Sequence, residues 1–120
     1  MLKIKNQTAL PIKIDLTDVF AAIGETAADL TDAIFVIKNP EDGTDLITKT
    51  LGTGIVANPN NANELNVQLS PNVDFSPTTL QVGKRYKFYF GIRTTNLASV
   101  YEEVDFDDNR ILVREDGIST

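Results

Sequence analysis

Acidic residues recur in two stretches with almost the same letters, and carboxylates grouped in this way can hold a divalent cation. The letters DLTD occupy residues 15–18 and 29–32, which supplies Asp15, Asp18, Asp29 and Asp32. Their oxygen atoms would suit Ca²⁺, provided that the two segments meet. The spacing matches no calcium-binding loop, whereas aspartate and threonine commonly cap turns and helix starts by binding backbone N–H groups. We therefore interpret both stretches as caps, and we predict neither a metal site nor a cofactor.

Two further acidic groups receive the same interpretation. Glu41, Asp42 and Asp45 surround a glycine after a Pro-containing turn, and residues 105–109 read DFDDN. Asp-Gly and Asp-Asn pairs are typical of solvated turns between strands. We predict that the second group, with Asp107, Asp108 and Asn109 in the turn, makes a tight hairpin.

A basic and aromatic stripe lies in the segment RYKFYFGIRT at residues 85–94. Strand side chains alternate with a period of two, so Arg85, Lys87, Tyr89 and Arg93 share one face. Basic groups interleaved with aromatic rings can bind single-stranded nucleic acid.

Acidic residues farther along the chain offer a different role for this stripe. A strand over residues 100–107, reached through a hairpin, carries glutamate and aspartate. Opposite charges that face each other across a ladder stabilise a sheet. The predicted pairs are Lys87 with Asp105, Arg85 with Asp107, and Tyr89 with Glu103. We therefore predict a stripe that is neutralised on its own sheet and serves the structure or a protein interface.

Catalysis is limited by what the composition lacks. The chain of 120 residues contains no histidine, no cysteine and no tryptophan. Ser-His-Asp, Cys-His and His-metal arrangements are therefore impossible within it. The letters GTG at residues 52–54 are too few for a phosphate-binding loop. A carboxylate pair can hydrolyse glycosides, but the carboxylates here are predicted in turns and on wet faces. We predict that the chain is not an enzyme.

The net charge of −6 argues against a nucleic-acid backbone as the main partner, because phosphate binding needs clustered lysine and arginine. No apolar stretch approaches the ~20 residues that span a bilayer. The N-terminus alternates between apolar and polar residues and lacks the unbroken apolar segment of a secretory signal. We predict no nucleic-acid partner and no membrane partner.

The elements that position these residues are mostly strands. Apolar and polar residues alternate in LPIKIDL, ELNVQLS and RYKFYFGIRT, whereas AIFVIK at residues 33–38 is apolar on both faces and suits a more central strand. Only LTDVFAAIGETAADL can be helical, with Thr17 or Asp18 as its cap and Gly24 as its end. Short strands with frequent turn signals predict one all-β domain over residues 1–120, an immunoglobulin-like or jelly-roll-like sandwich of about seven to nine strands with at most one short helix. The predicted core residues are Ile12, Ile14, Ile34, Val36, Leu65, Val67, Leu69, Phe88, Phe90, Ile92, Val104 and Ile111.

Two segments are the best candidates for contacts with neighbouring molecules. Residues 1–11 form a predicted arm or edge strand, and residues 52–63 form a predicted exposed, Asn-rich loop. Either segment can become ordered on assembly. Tyrosines on a wet strand face are further candidates. The predicted interface residues are Lys3, Lys5, Asn58, Asn60, Asn61, Tyr89 and Tyr101.

The order of the segments carries one resemblance to known proteins. A D-L-T-x-A pattern opens a strand at residue 29, and an L-x-x-G-x-x-Y-x-F pattern, here Leu80, Gly83, Tyr86 and Phe88, leads into the main aromatic strand. Over about residues 29–115 the chain resembles small all-β domains of tailed-phage virion proteins, such as the N-terminal domain of baseplate upper proteins. The resemblance implies a non-enzymatic structural protein of a bacteriophage virion, placed in the tail, baseplate or neck or decorating the capsid, and assembled in the host cytoplasm. It implies other virion proteins and copies of the same chain as partners.

Two alternatives stay open at this point. A carbohydrate-binding sandwich could stack a sugar on Tyr89 and Tyr101, although the lack of tryptophan weakens that hypothesis. An enzyme subunit is the second alternative.

Overall fold

Strands dominate the regular structure of this chain, a computed structural model of which describes residues 2–9, 11–96, 102–104 and 108–115. The described residues form nine strands, one α-helix and one 3₁₀ turn. The strands are β1 (Leu2–Lys5), β2 (Ile12–Asp15), β3 (Leu30–Lys38), β4 (Asp45–Leu51), β5 (Gly54–Asn58), β6 (Asn61–Val67), β7 (Arg85–Thr94), β8 (Glu102–Glu103) and β9 (Arg110–Arg114). Helix α1 spans Thr17–Ile23, and the 3₁₀ turn spans Ala27–Asp29. The prediction of an all-β fold with at most one short helix is confirmed.

The strands are joined in one hydrogen-bonded path with the order β1-β9-β7-β3-β4-β5-β6-β2, and β8 pairs with β7 beside this path. The join between β4 and β5 is parallel and only two residue pairs long, Thr50 with Gly54 and Leu51 with Ile55. On both sides of this join the strands contribute side chains to the same hydrophobic cluster. The sheet is therefore curled around one core. The division into two sheets that defines a sandwich stays a prediction.

The core is built around the aromatic residues of the central strands. The rings of Phe35 and Phe88 stack with their centroids 5.5 Å apart, and the centroid of the Phe90 ring lies 6.4 Å from that of Phe35. Ten of the predicted core residues are buried in this cluster, namely Ile12, Ile14, Leu65, Val67, Leu69, Phe88, Phe90, Ile92, Val104 and Ile111.

Strand β3 presents the opposite face to the core from the one predicted. Ala33, Phe35 and Ile37 belong to the core cluster. Ile34 is only half-buried, so its assignment to the core is wrong. Val36 is buried as predicted, but it lies on the outer face, opposite Thr48 and Tyr89. The letters AIFVIK are apolar on both faces, so their alternation does not decide which face turns inward. The pairing of Phe35 with Phe90 decides it.

Helix α1 follows β2 with only Leu16 between them. The Asp15 carboxylate accepts hydrogen bonds from the backbone N–H of Thr17 at 2.9 Å and from its hydroxyl at 2.7 Å. Gly24 ends the helix in the left-handed conformation, with φ of 72°. The predicted end of the helix is confirmed. The predicted cap is wrong, because Leu16 occupies the N-cap position and no side chain caps the helix there; Asp15, one residue earlier, binds the first residue of the helix.

Residues 52–63 contain a hairpin and not the predicted long loop. Strands β5 and β6 pair antiparallel around a turn at residues 59–60. The Asn58 side chain accepts the N–H of Asn60 at 2.9 Å, and the Asn61 side chain accepts the N–H of Asn63 at 3.1 Å. The asparagines therefore satisfy the backbone of the turn, which lets a polar stretch continue as two paired strands.

Candidate interaction surface

Strand β7 divides its side chains between two faces of the sheet. Tyr86, Phe88, Phe90 and Ile92 are buried in the core. The alternate residues of the strand face outward. They include the tyrosine and three cations, namely Arg85, Lys87, Tyr89 and Arg93. The prediction that these four residues share one face is therefore confirmed. Tyr89 is half-buried there.

Cations lie opposite one another across this outer face. Lys87 is in register with Lys38 of β3 on one side and with Arg110 of β9 on the other. We call these three residues the cation row. Directly opposite residues of an antiparallel pair have Cβ atoms about 4.5–5.5 Å apart, and like charges at that spacing destabilise a sheet. Lys87 thus has a like charge opposite it on each neighbouring strand.

The cation row continues into a wider basic surface on the neighbouring strands. Arg85 is in register with Leu112 of β9, which is itself in register with Lys3 of β1. Arg114 and Lys5 form the next pair. We define the basic face as Lys3, Lys5, Lys38, Arg85, Lys87, Arg93, Arg110 and Arg114. These are eight of the eleven lysines and arginines in a chain whose net charge is −6. Positive charge is therefore strongly segregated.

Carboxylates compensate only part of the basic face. Lys38 lies 2.8 Å from Asp45, and both side chains are well exposed. The Arg110 guanidinium donates two hydrogen bonds of 2.9 Å to Asp108, which holds the pKa of that carboxyl well below its usual range. Asp32 is in register with Arg93.

Three cations of the basic face have no such partner. For Lys5, Arg85 and Lys87, no carboxylate among the described residues lies within 4.0 Å. All three side chains are exposed. Their charge is thus presented to solvent in this part of the chain.

The predicted neutralisation of the stripe is wrong in its register. The observed partners are Arg110 for Lys87, Leu112 for Arg85, and Gly91 for Glu103. A cation and an apolar side chain thus occupy the two positions that were predicted to carry aspartates. Asp105 and Asp107 lie outside the described residues.

An interruption between β8 and β9 causes this shift of register. Both strands pair antiparallel with β7 and therefore run in the same direction. They are two successive partners on the same side of β7, and they do not form a hairpin with each other. Asn109 anchors the second part to Phe88: its carbonyl accepts the Phe88 N–H at 2.9 Å, and its side-chain amide donates to the Phe88 carbonyl at 3.3 Å. Asp108 and Asn109 therefore precede β9 at a change of register along β7, and their residue types are also those of a tight turn.

Acidic residues gather at the other end of the strand path. Asp15 of β2 lies directly opposite Glu64 of β6, and Asp18 follows in the first turn of α1. We call these three residues the acidic edge. Hydrogen bonds from the hydroxyl and N–H of Thr17 lower the pKa of Asp15, so its charge persists at mildly acidic pH. As in the cation row, two residues with charges of the same sign, Asp15 and Glu64, lie opposite each other on neighbouring strands.

The structure separates the predicted interface residues into two groups. Lys3, Lys5 and Tyr89 lie on the basic face. Asn58, Asn60 and Asn61 lie at the β5–β6 turn. The side chains of Asn58 and Asn61 accept backbone N–H groups there, that of Asn58 also reaches Glu64 at 3.3 Å, and Asn60 contributes its backbone N–H. Tyr101 lies outside the described residues. The prediction missed Lys38, Arg110 and Arg114. The sequence indicates which side chains of one strand share a face, but it does not indicate which strands pair with one another.

The interpretation of the acidic stretches as caps is confirmed at three positions. Asp15 binds Thr17 as described above, Asp29 accepts the N–H and hydroxyl of Thr26 at 2.9 and 3.1 Å, and Asp42 accepts those of Thr44 at 3.0 and 2.7 Å. These hydrogen bonds lower the pKa of Asp29 and of Asp42. Among the described residues, no group of three or more acidic side chains is arranged to hold a metal ion.

A groove of about 400 Å³ opens beside the basic face. Arg85, Arg114 and Glu115 border it, and its apolar lining is supplied by Val82, Leu112 and Val113. Val82 is 45% exposed, which is unusual among the apolar residues of this chain. The groove therefore gives the charged surface an apolar depression that a side chain of a partner can enter.

Among the residues that the structure describes, no helix combines the length and the hydropathy needed to cross a membrane. No protein-family model matches the chain, and neither the curated proteins nor the solved structures include a significant match.

Proposed function

We propose that this chain is a non-enzymatic structural protein that works through protein–protein interfaces, as a module of a bacteriophage virion. The observation that carries the interface part is the cation row. Lys87 lies between Lys38 and Arg110 across adjacent strands. Asp45 and Asp108 pair with those two neighbours, whereas Lys87 is exposed with no ion pair among the described residues, so a bound anionic surface would supply the partner that it lacks. Functional surfaces are often not optimal for the stability of the isolated chain, and a binding role would explain this arrangement of charges.

The virion part of the proposal is supported by the sequence. The spacing of Leu80, Gly83, Tyr86 and Phe88 resembles that of small all-β modules in tailed-phage particles. In this chain the pattern has a physical basis, because the Tyr86 hydroxyl donates to the carbonyl of Thr79 at 2.9 Å and accepts the N–H of Gln81 at 2.8 Å. The tyrosine thus fastens the preceding connection to the sheet.

Labelling of particles tests the proposal. An antibody raised against the recombinant chain would be applied with a gold conjugate to phage particles released by the source of the sequence. Regular labelling at the capsid, neck or tail is the expected result. Labelling of no particle, with the epitope shown to be intact by blotting, would remove the virion role. Antibody absorbed with the purified chain serves as the control.

A second measurement connects the role to the basic face. Particles would be assembled with the variant Arg85→Glu/Lys87→Glu in place of the wild-type chain. We expect them to carry less of the protein, because the interface depends on these two exposed cations. Lys13→Glu, an equal change of charge per residue on the far edge strand β2, is the matched control and should be incorporated normally.

A further inference from the structure

We infer that the basic face binds the acidic edge of a second copy of this chain, so that copies associate head to tail. The inference rests on the proposed function, because it names the partner of the same surface. The basic face belongs to β1, β9, β7 and β3, whereas the acidic edge belongs to β2, β6 and α1. The two surfaces share no strand, so one molecule can use both of them at the same time.

Charge complementarity is the first argument for this partner. Asp15 and Glu64 face each other on β2 and β6, as Lys87 and Arg110 do on β7 and β9. Each surface places charges of the same sign opposite each other, and contact between the two surfaces brings opposite charges together. Among the described residues, no lysine or arginine nitrogen lies within 4.0 Å of the acidic edge, although Lys13 shares its strand.

The exposure of the acidic edge is the second argument. Asp15 and Asp18 are exposed, and Glu64 is half-buried beside Asn58. The low pKa of Asp15 keeps its negative charge available. An acidic surface of a different protein would also fit the basic face, but this chain carries a matching one itself.

Nucleic acid is the other polyanion that a basic sheet face can bind, and the charges favour a protein instead. The net charge of −6 repels a phosphate backbone at long range. Asp32, Asp45 and Asp108 are interspersed with the cations of the basic face and would meet phosphates unfavourably. A protein surface of mixed charge can accommodate both signs.

Head-to-tail contact has a defined geometric consequence. The two contacting patches differ, so the interface is heterologous, and repetition of one such contact gives closed rings or open filaments. Contacts between exposed charges are also sensitive to salt, since the Debye length falls from about 30 Å at 0.01 M to about 3 Å at 1 M ionic strength. The association should therefore be visible at low salt and lost at high salt.

Sedimentation velocity of three proteins tests the inference. Wild-type chain at about 0.01 M salt should form species larger than a monomer, and about 1 M salt should dissociate them. The basic-face variant Arg85→Glu/Lys87→Glu and the acidic-edge variant Asp18→Lys/Glu64→Lys should each stay monomeric, with self-association weakened about tenfold or more. Asp15 is left unchanged because it binds the first residue of α1.

Mixing the two variants is the decisive step. The basic-face variant retains an acidic edge, and the acidic-edge variant retains a basic face, so the mixture should form a one-to-one dimer under conditions where neither variant associates alone. Because only folded chains can dock in this way, the dimer also shows that both variants are folded. Lys13→Glu, which changes charge outside the basic face, should not weaken association of the wild-type surfaces.

Three results would overturn the inference. A wild-type chain that stays monomeric at low salt, a mixture that forms no dimer, or an equal loss of association with Lys13→Glu would each do so. If the monomeric chain instead shifts the fluorescence anisotropy of a single-stranded oligonucleotide, and Lys87→Glu abolishes that shift, the basic face binds nucleic acid. If the purified chain is monomeric and the antibody still labels particles, the self-association is wrong and the proposed function stands. If the chain self-associates and the antibody labels no particle, the proposed virion role is wrong and the self-association stands.

Discussion

The ammonium of Lys49 lies 3.0 Å from the carboxylate of Asp74, and the two side chains are only 15% and 9% exposed. Lys49 projects from β4 on its inward-facing side, and Asp74 belongs to the connection between β6 and β7. The same carboxylate accepts the N–H of Ser70 at 2.6 Å. One ion pair thus ties a long connection to the inside of the sheet.

Removal of one partner of this pair should be strongly destabilising. Asp74→Ala leaves the Lys49 ammonium in a largely buried site without its counter-ion, and losses of about 3–5 kcal/mol are typical of such changes. Lys49→Met/Asp74→Leu removes both charges and should cost less than the single change. Urea unfolding of the three proteins checks this expectation. Equal losses in the single and double variants would show that the pair is not energetically coupled.

Gly54→Ala should destabilise the chain for two separate reasons. The residue has φ of +97°, and an added Cβ would come within 2.5 Å of the Lys49 Cδ. Lys49 is held by Asp74, so its side chain cannot move aside freely. Gly43→Ala is the matched control, since it has φ of +74° and nothing within 4 Å of an added Cβ. The backbone conformation alone costs about 1–3 kcal/mol in such cases, and Gly54→Ala should lose more than its control in thermal unfolding.

Truncation of two consecutive side chains tests which face of β3 points into the core. Phe35→Ala should cost about 3–5 kcal/mol, because the ring is fully buried and packs against Phe88 and Phe90. Ile34→Ala should cost clearly less, since that side chain is only half-buried on the outer face. Chemical denaturation measures both. Equal effects would mean that β3 does not present a single face to the core.

Acid should weaken the start of helix α1. The pKa of Asp15 is lowered in the folded state by the hydroxyl and N–H of Thr17. A lowered folded-state pKa gives stability that is fully present above the ordinary carboxyl pKa and is lost as the pH falls below about 4 toward the folded-state value. Asp15→Asn keeps an accepting oxygen but cannot titrate. The urea midpoint of the variant should therefore fall less between pH 7 and about pH 3 than that of the wild type. Identical pH profiles would contradict this role.

Period-two alternation was sufficient to find β2, β6 and β7 in the sequence. It also placed the basic residues of β7 on one face, because Arg85 and Lys87 alternate with large apolar residues. It did not orient β3, since both faces of AIFVIK are apolar and only the contact of Phe35 with Phe90 selects one.

The basic face itself could not be derived from the sequence. Its formation depends on which strands flank β7, and the parallel pairing of β1 with β9 joins segments from the two ends of the described chain. The register against β7 differs between β8 and β9, which places Arg110 opposite Lys87. The residue types at positions 107–109 are typical of a turn, and they suggested a hairpin.

Urea unfolding of Lys87→Glu tests most directly whether the cation row is a repulsive surface kept for a partner. The variant and the wild type would be compared at about 0.01 M and about 1 M salt, at concentrations where both are monomeric, since association would itself add stability. A glutamate between Lys38 and Arg110 replaces repulsion by attraction, so the variant should have the higher urea midpoint at low salt, and the difference should shrink at high salt. A variant less stable than the wild type at low salt would contradict this. It would mean that Lys87 is already balanced by carboxylates of its own chain, and that the basic face needs no anionic partner.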